Sequence, residues 1–348
     1  MKHKILFISL LWCLYSVPAF SQNELSTVIT LNGKLKVDNP KLVKSIEANL
    51  NEFFSAIDAS LETGEKPKFP KKVLTLKGAN ETDSLWMNSP FYCSQSKVKA
   101  KLVNLPHDVT DKNASILEVR DIPILLDKER DLPQTLNISF NAKGLITGMD
   151  LGLNPMAFRN IMSNANGELD EARRQIVNKF LEQVRTAYNR KDLSYLKQVY
   201  SDDALIITGR ELKKKATSRK DEQGMHLNVS SQVEYTRKGK AEYLAGLQRL
   251  FSNNAYINVD FENVEIRPHP NPEFRDNVYC VSLEQDWTSQ SAKANPNSRY
   301  HDEGYLFLII DFHDQDRPEI EIRVWQSKES IEGGETPINE NNVGSFER

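Results

Sequence analysis

RRQIVNKFLEQVRTAYNRKDLSYLKQVYSDDALIITG, residues 173–209, decides the fold of half of this chain. Ile176, Phe180, Val184, Ala187 and Tyr188 recur at three- and four-residue spacing, and the stripe reaches back to Leu169 and Ala172. That period puts one face of a helix against a core. Glu168, Asp170 and Glu171 stand at its start, where acidic groups suit the positive end of the helix dipole. Asp192 is placed to cap a second, short helix over 193–200. Ala204–Thr208 then reads as a strand closed by Gly209.

Working outward, Lys238–Phe251 carries another helical stripe through Tyr243, Leu244, Leu247, Leu250 and Phe251. Strand-like segments follow over 256–266, 277–287, 304–312 and 319–325, the last two forming a hairpin through 313–318. Arg210–Lys220, with Lys213, Lys214 and Lys215, reads as a solvated helix or loop, or as a patch for an anionic ligand. Toward the N-terminus, Leu42, Val43, Ile46, Leu50, Phe53, Phe54 and Ile57 make one helix face that ends before Gly64–Pro70. Val73–Leu76 reads as a short strand and Gly78–Ser89 as a polar loop. Short strands are expected over 98–103, 116–119, 122–126 and 136–140, with a short helix after Pro155. Residues 163–167, Ser-Asn-Ala-Asn-Gly, form a linker.

In 173–209, Ala187-Tyr188 closes the first helix, Asp192-Leu193 opens the second, and Tyr200-Ser201-Asp202-Asp203-Ala204 enters the strand. This stretch resembles the start of the NTF2-like superfamily, the SnoaL-like and ketosteroid-isomerase-like cone fold. The helix over 240–251 and the four strands after it continue that family's order. The resemblance rests on order and spacing, not on an invariant motif. It implies a strongly curved sheet wrapped around helices, with the concave face closing a pocket or serving as an interface. The first half also runs from a long helix into strands and reads as a diverged copy, although it lacks the Asp-Asp-Ala strand entry. The expected architecture is α+β: two tandem cone-shaped domains over 22–165 and 166–330, each a curved, mostly antiparallel sheet packed on N-terminal helices. A signal peptide over 1–21 precedes them, and a disordered tail over 331–348, poor in apolar residues, follows.

The signal peptide is read from Lys2 and Lys4, an apolar run from Ile5 to Tyr15, and Ala19-Phe20-Ser21 before Gln22. The run is too short to span a membrane, and no later stretch is long and apolar enough, so no stable membrane insertion is expected. Export to a bacterial periplasm or beyond the cell follows. The chain of 348 residues carries a formal charge of −3, and loss of the two signal lysines makes it more negative. A nucleic-acid binder usually shows a basic face, so none is expected here. Cys93 and Cys280 remain after processing and read as two isolated buried thiols.

Enzymes of the family place acid–base work on aspartate, histidine or tyrosine lining the cone. That resemblance implies Asp203 or Asp311 as the acid–base group, with Tyr188 or Tyr279 positioning an oxygen. The same aspartates also suit turns and caps. For ligand binding, Arg323 can hold an anionic group, and Trp325, Trp287, Tyr235 and Tyr305 can stack on a ring. On the last strand Glu321, Arg323 and Trp325 alternate with Ile320, Ile322 and Val324. The apolar set is expected to face the helices, leaving the other for the cavity or for solvent. Histidines 107, 226, 269, 301 and 313 are scattered, and no His-x-x-x-His or Cys-x-x-Cys pair exists, so no metal site is expected. Asp311, Asp314 and Asp316 lack the glycine and glutamate spacing of a calcium loop. No phosphate loop, nucleophile elbow or dinucleotide pattern occurs, and no cofactor is expected. These features point to an exported, non-catalytic binding or scaffold protein for a small molecule or a protein partner. The alternative is a cofactor-free isomerase, dehydratase or hydrolase using a pocket Asp/Tyr pair. Sheet-to-sheet pairing within the chain would leave a monomer, and pairing between chains a homodimer.

Overall fold

The computed structural model describes residues 27–32, 38–108, 115–127, 129–163, 168–221, 224–293 and 299–346. The expected signal peptide, most of the linker, and the side chains of Lys213, Lys214 and Lys215 lie outside what it describes.

The first sheet is built around helix α1 (Pro40–Thr63). The Asn39 side chain caps its start by accepting from the Leu42 N–H, and Gly64 ends it in the left-handed region at φ 69°. Its stripe, Val43 through Ile57, is buried as the spacing requires. Helix α2 (Leu76–Asn88) corrects the loop expected over 78–89. Only Leu85 and Trp86 of its larger apolar side chains are buried, too few to show a period in the sequence. Thr75 caps α2, and Gly78 lies against the Ile146 carbonyl where a Cβ would collide. Strands β1 (Val28–Asn32), β3 (Lys97–Pro106), β4 (Ser115–Leu126), β5 (Glu129–Phe140) and β6 (Ile146–Leu151) follow one another across the sheet, and β2 (Phe91–Cys93) pairs with β4. β1 runs parallel to β3, and the other pairs are antiparallel. The two short strands expected over 116–126 are one strand with a bulge, where Asp121 takes φ 63° and its N–H donates to Asn137 Oδ1 at 3.0 Å.

In the second half come α3 (Pro155–Ser163), α4 (Glu171–Asn189), α5 (Leu193–Val199), β7 (Tyr200–Asp221), β8 (Gly224–Lys238), α6 (Lys240–Asn253), β9 (Asn254–Pro268), β10 (Val278–Ser291), β11 (Arg299–Asp311), β12 (Glu319–Ser327) and a short α7 (Lys328–Glu332). The sheet order is β8-β7-β12-β11-β10-β9, with β12 and β7 parallel. Two helices, a strand, a later helix and four strands follow in the expected order, with β8 added after the first strand. The charged segment over 210–220, expected as a helix or loop, is instead the outer half of the β7–β8 hairpin. The first half does not repeat the order. Its edge strand precedes the long helix, and no helix interrupts β2 to β6 among the described residues.

Two further expectations are corrected. A register shift between Ile320 and Ile322 turns β12, so Ile320, Arg323 and Trp325 face the helices while Ile322 and Val324 face outward. The second correction concerns the tail. From 333 it lies on that outward face, where Ile338 and Val343 are buried with Leu205, Ile207, Cys280, Phe307, Ile309 and Val324. Gln326 anchors it, accepting from the Ile338 N–H at 2.7 Å and donating to the Thr336 carbonyl at 3.1 Å. The few apolar residues of the tail are placed where the sheet needs them, and overall content does not reveal that. Cys93 and Cys280 are both free and buried, and burial pushes the Cys280 thiol up to about 12.

Candidate functional site

The helix side of the second sheet ends in a cluster of phenols around a guanidinium. Tyr188 comes from the end of α4, Tyr200 from the entry to β7, Tyr243 from α6, and Arg323 from β12. The Tyr188 hydroxyl lies 2.7 Å from those of both Tyr200 and Tyr243. Arg323 is 6% exposed; its Nη2 donates to Gln285 Oε1 at 3.3 Å, and its guanidinium lies 5.4 Å from the centre of the Tyr243 ring. Trp287 meets Tyr188 edge-on at 6.0 Å. Trp325 lies flat because Gly209 and Gly304 face its indole, where a Cβ on either would overlap the ring. Burial, and then the neighbouring phenols, push Tyr188 and Tyr200 well above the ordinary tyrosine value. The cluster is packed: Tyr188, Tyr200, Tyr243 and Arg323 are all buried.

Of the residues singled out in the sequence, Tyr188, Trp287, Trp325 and Arg323 thus share one side of the sheet. The others lie apart. Asp203 is exposed. Asp311 accepts from its neighbour His313, at 2.7 Å from the backbone N–H and 2.6 Å from the ring. The Tyr279 hydroxyl donates to the Asp276 carbonyl at 2.8 Å. Tyr235 donates to Glu335 of the tail at 2.9 Å, and burial together with that carboxylate pushes it up to about 12. Tyr305 lines a 210 Å³ recess beside the tail on the outward face. Sequence reasoning missed Tyr200, Tyr243 and Gln285 as members of the cluster. Tyr243 was visible only as one apolar position of a helix stripe.

Helix α4 is buried on both sides, because the polar face of the first sheet covers what would otherwise be its solvent face. Glu118 and Arg120 of β4, Asp150 of β6, and Lys179 and Glu182 of α4 form a closed ionic network. Arg120 donates to Glu118 at 2.7 Å and to Glu182 at 2.5 and 3.1 Å. Lys179 binds Asp150 at 2.8 Å and also Glu118. Glu182 is fully buried and also accepts from the Leu153 N–H at 3.3 Å. One turn on, Arg185 binds Asp260 at 3.2 Å and the Val259 carbonyl at 2.9 Å, and Arg190 binds Glu81 at 3.0 Å. Burial opposes the charge on both Asp150 and Lys179, yet their mutual attraction wins: Asp150 is held below the usual carboxylate range and Lys179 is raised. Edge strand β9 is capped in the same region. Asn88 and Asn189 each exchange two hydrogen bonds with its backbone, at Ile257 and Val259, as a neighbouring strand would.

At the margin of this interface lies a cleft of about 610 Å³ between the two units. Ile176, Phe180 and Phe312 supply apolar wall, and Gln183, Lys179 and Lys197 polar groups. The Tyr195 hydroxyl donates to Gln183 at 3.3 Å. A His107–Asp316 pair at 3.0 Å joins the two units at its edge. The one group of potential metal ligands among the described residues is Asp286, His301 and Glu303, whose ligand atoms lie within 4.8 Å of one another. His301 and Glu303 are exposed, and Lys328 already holds Glu303 at 2.9 Å.

No family model matches this chain, and no curated protein matches it. Among solved structures, several are similar to part of this chain at low identity. One similar structure is an NTF2-like superfamily protein from Salmonella enterica serovar Typhimurium, 9% identical over 44% of this chain and 89% of its own, with a TM-score of 0.31. Another is an NTF2-like protein of unknown function from Shewanella oneidensis, 16% identical over 43% and 95%, TM-score 0.27. A third is the β subunit of benzoate 1,2-dioxygenase from Burkholderia mallei, 14% identical over 44% and 90%, TM-score 0.30. Likeness at this level says nothing of substrate or partner.

Proposed function

We propose that this chain is an exported, non-catalytic binding protein whose ligand occupies the cleft between its two units, the first unit acting as a cover on the second. The observation that carries this reading is the 610 Å³ cleft, which combines an apolar wall with ammonium and amide groups. Its volume suits a drug-sized organic molecule, and joints between units are common places for such sites. The lining suits an amphiphile: an apolar body against Ile176, Phe180 and Phe312, and a polar end toward Gln183 and Lys197, with the carboxylates of Asp202, Asp316 and Glu319 elsewhere on the wall. An acid–base enzyme has less support. Asp203 and Asp311 do not reach the tyrosine cluster, and no carboxylate bonds to Tyr188, Tyr200 or Tyr243 among the described residues. A protein partner on the outward sheet face also has less support, because the tail covers that face.

The test uses anilinonaphthalene sulfonate, which has aromatic rings and one anionic group, titrated into folded mature protein. Saturable binding is expected. Gln183→Trp, which puts a bulky ring into the cleft, weakens it strongly, and Lys197→Glu weakens it about tenfold, the effect of one lost charged contact. Binding unchanged in both variants would overturn the assignment of the cleft.

A further inference from the structure

Beside the ionic network, the joint between the units holds a second recess, of about 140 Å³. Its walls come from β3, β4, α3 and α4, and none of its residues lines the cleft. Two of them are deeply buried polar side chains, Arg120 at 5% exposed and Asn178 at 2%. Each keeps one buried atom without a hydrogen-bond partner among the described residues: Arg120 Nε, a donor, and Asn178 Oδ1, an acceptor. Leaving such atoms unmatched is costly, and native proteins rarely do it. Here two of opposite sense line one recess.

The rest of the Arg120 guanidinium is engaged. Its terminal nitrogens hold Glu118 and Glu182, and its centre lies 5.2 Å from that of the Phe158 ring. The missing partner must accept from Nε and donate to Oδ1. Two carboxylates already match the Arg120 charge, so an anion in the recess would be repelled by Glu118 and Glu182. An ammonium would meet the guanidinium itself. An uncharged group with both hydrogen-bonding senses fits, and a carboxamide carries the two on one carbon. Leu105 and Phe158 supply apolar wall for a short hydrocarbon end. Lys101 and Asp121 also line the recess and are exposed, so it reaches solvent. A cavity of about 150 Å³ accepts a benzene-sized molecule.

We propose that this recess binds a small uncharged molecule of the carboxamide class, its carbonyl accepting from Arg120 Nε and its N–H donating to Asn178 Oδ1. The site is separate from the cleft, and its failure would leave the cleft reading untouched. Ordered water is the competing occupant, because a recess of this size holds about four water molecules.

The test titrates isobutyramide into folded mature protein and reads saturation-transfer NMR. Saturable binding is expected, with a Kd of about 1 mM, ordinary for a ligand of about six heavy atoms. Isobutyrate, of the same shape but charged, binds about tenfold more weakly or not at all. Asn178→Leu keeps the bulk, removes the acceptor and weakens amide binding about tenfold, the effect of one unmatched donor. Saturating anilinonaphthalene sulfonate, the probe of the cleft, leaves amide binding intact. If Asn178→Leu fails to fold, crystals of the unaltered protein soaked in isobutyramide decide the matter. Amide density beside Arg120 Nε and Asn178 supports the proposal, and water alone there overturns it. Absence of saturable binding, equal binding of isobutyrate, or equal affinity in folded Asn178→Leu also overturns it. So does displacement by the sulfonate, which would put the amide in the cleft.

Discussion

The interface between the units and the interior of the second unit both bury cations, and they treat them differently. At the interface, Arg120 and Lys179 are met by Glu118, Asp150 and Glu182. In the interior, Arg323 is met by phenols and an amide. A network whose charges are matched from within fixes how two surfaces meet, because any slip leaves a buried charge unpaired. A cation matched only by neutral acceptors and ring faces sets no such register. The first arrangement therefore fixes the joint between the units, and the second packs the interior of one of them.

The largest expected effect that would sharpen this contrast comes from Glu182→Leu. It removes the carboxylate that Arg120 shares and leaves a buried guanidinium with Glu118 alone, at a cost of about 3–5 kcal/mol in urea unfolding. A loss below about 1 kcal/mol would mean that the interface is wet and the network incidental. Asp150→Asn comes next. Lys179 keeps Glu118, so the cost at neutral pH is about 2 kcal/mol, that of one charged hydrogen bond. The pH dependence carries a definite sign. The Asp150 carboxyl is held below its unfolded value, so its contribution is present above about pH 4 and is lost as pH falls through the folded value. The urea midpoint of the unaltered protein should drop in that acid range, and the drop should be smaller in Asp150→Asn. The smallest effect belongs to Arg323→Met. Removing a cation that has no carboxylate partner should leave stability within about 1 kcal/mol of the unaltered protein, or raise it. A loss like that of Glu182→Leu would erase the difference between the two regions.

Much of the scaffold was legible in the sequence. The stripes of α1 and α4 are wide and regular, and Asp192 caps α5 as its position in the sequence suggested. Helix α2 was not legible, because it buries little apolar surface and its polar residues resemble a loop. The faces of β12 were misread because one bulge shifts the alternation, and a strict period of two cannot anticipate it. The interface was hidden for a different reason. Lys179, Glu182, Arg185 and Arg190 lie on the polar side of an amphipathic helix, the ordinary pattern of a solvated face. Their partners Glu118, Arg120 and Asp150 look like the outward residues of half-buried strands. Only the tertiary fold brings the two polar faces together. In the candidate site, Arg323, Trp287 and Trp325 were legible as residue types suited to binding, and Tyr188 as one suited to positioning an oxygen. Tyr200 and Tyr243 were not, because in sequence each looks like one more apolar position.

The central claim is that the charge-matched interface makes the two units one cooperative body. The chain carries its own reporters: Cys93 is buried in the first sheet and Cys280 in the second. Brief alkylation across a urea series, read separately at each thiol by mass spectrometry, measures the unfolding of each unit in the intact protein. The account predicts one midpoint shared by both cysteines. Two well-separated midpoints, with one thiol protected while the other reacts fully, would contradict it.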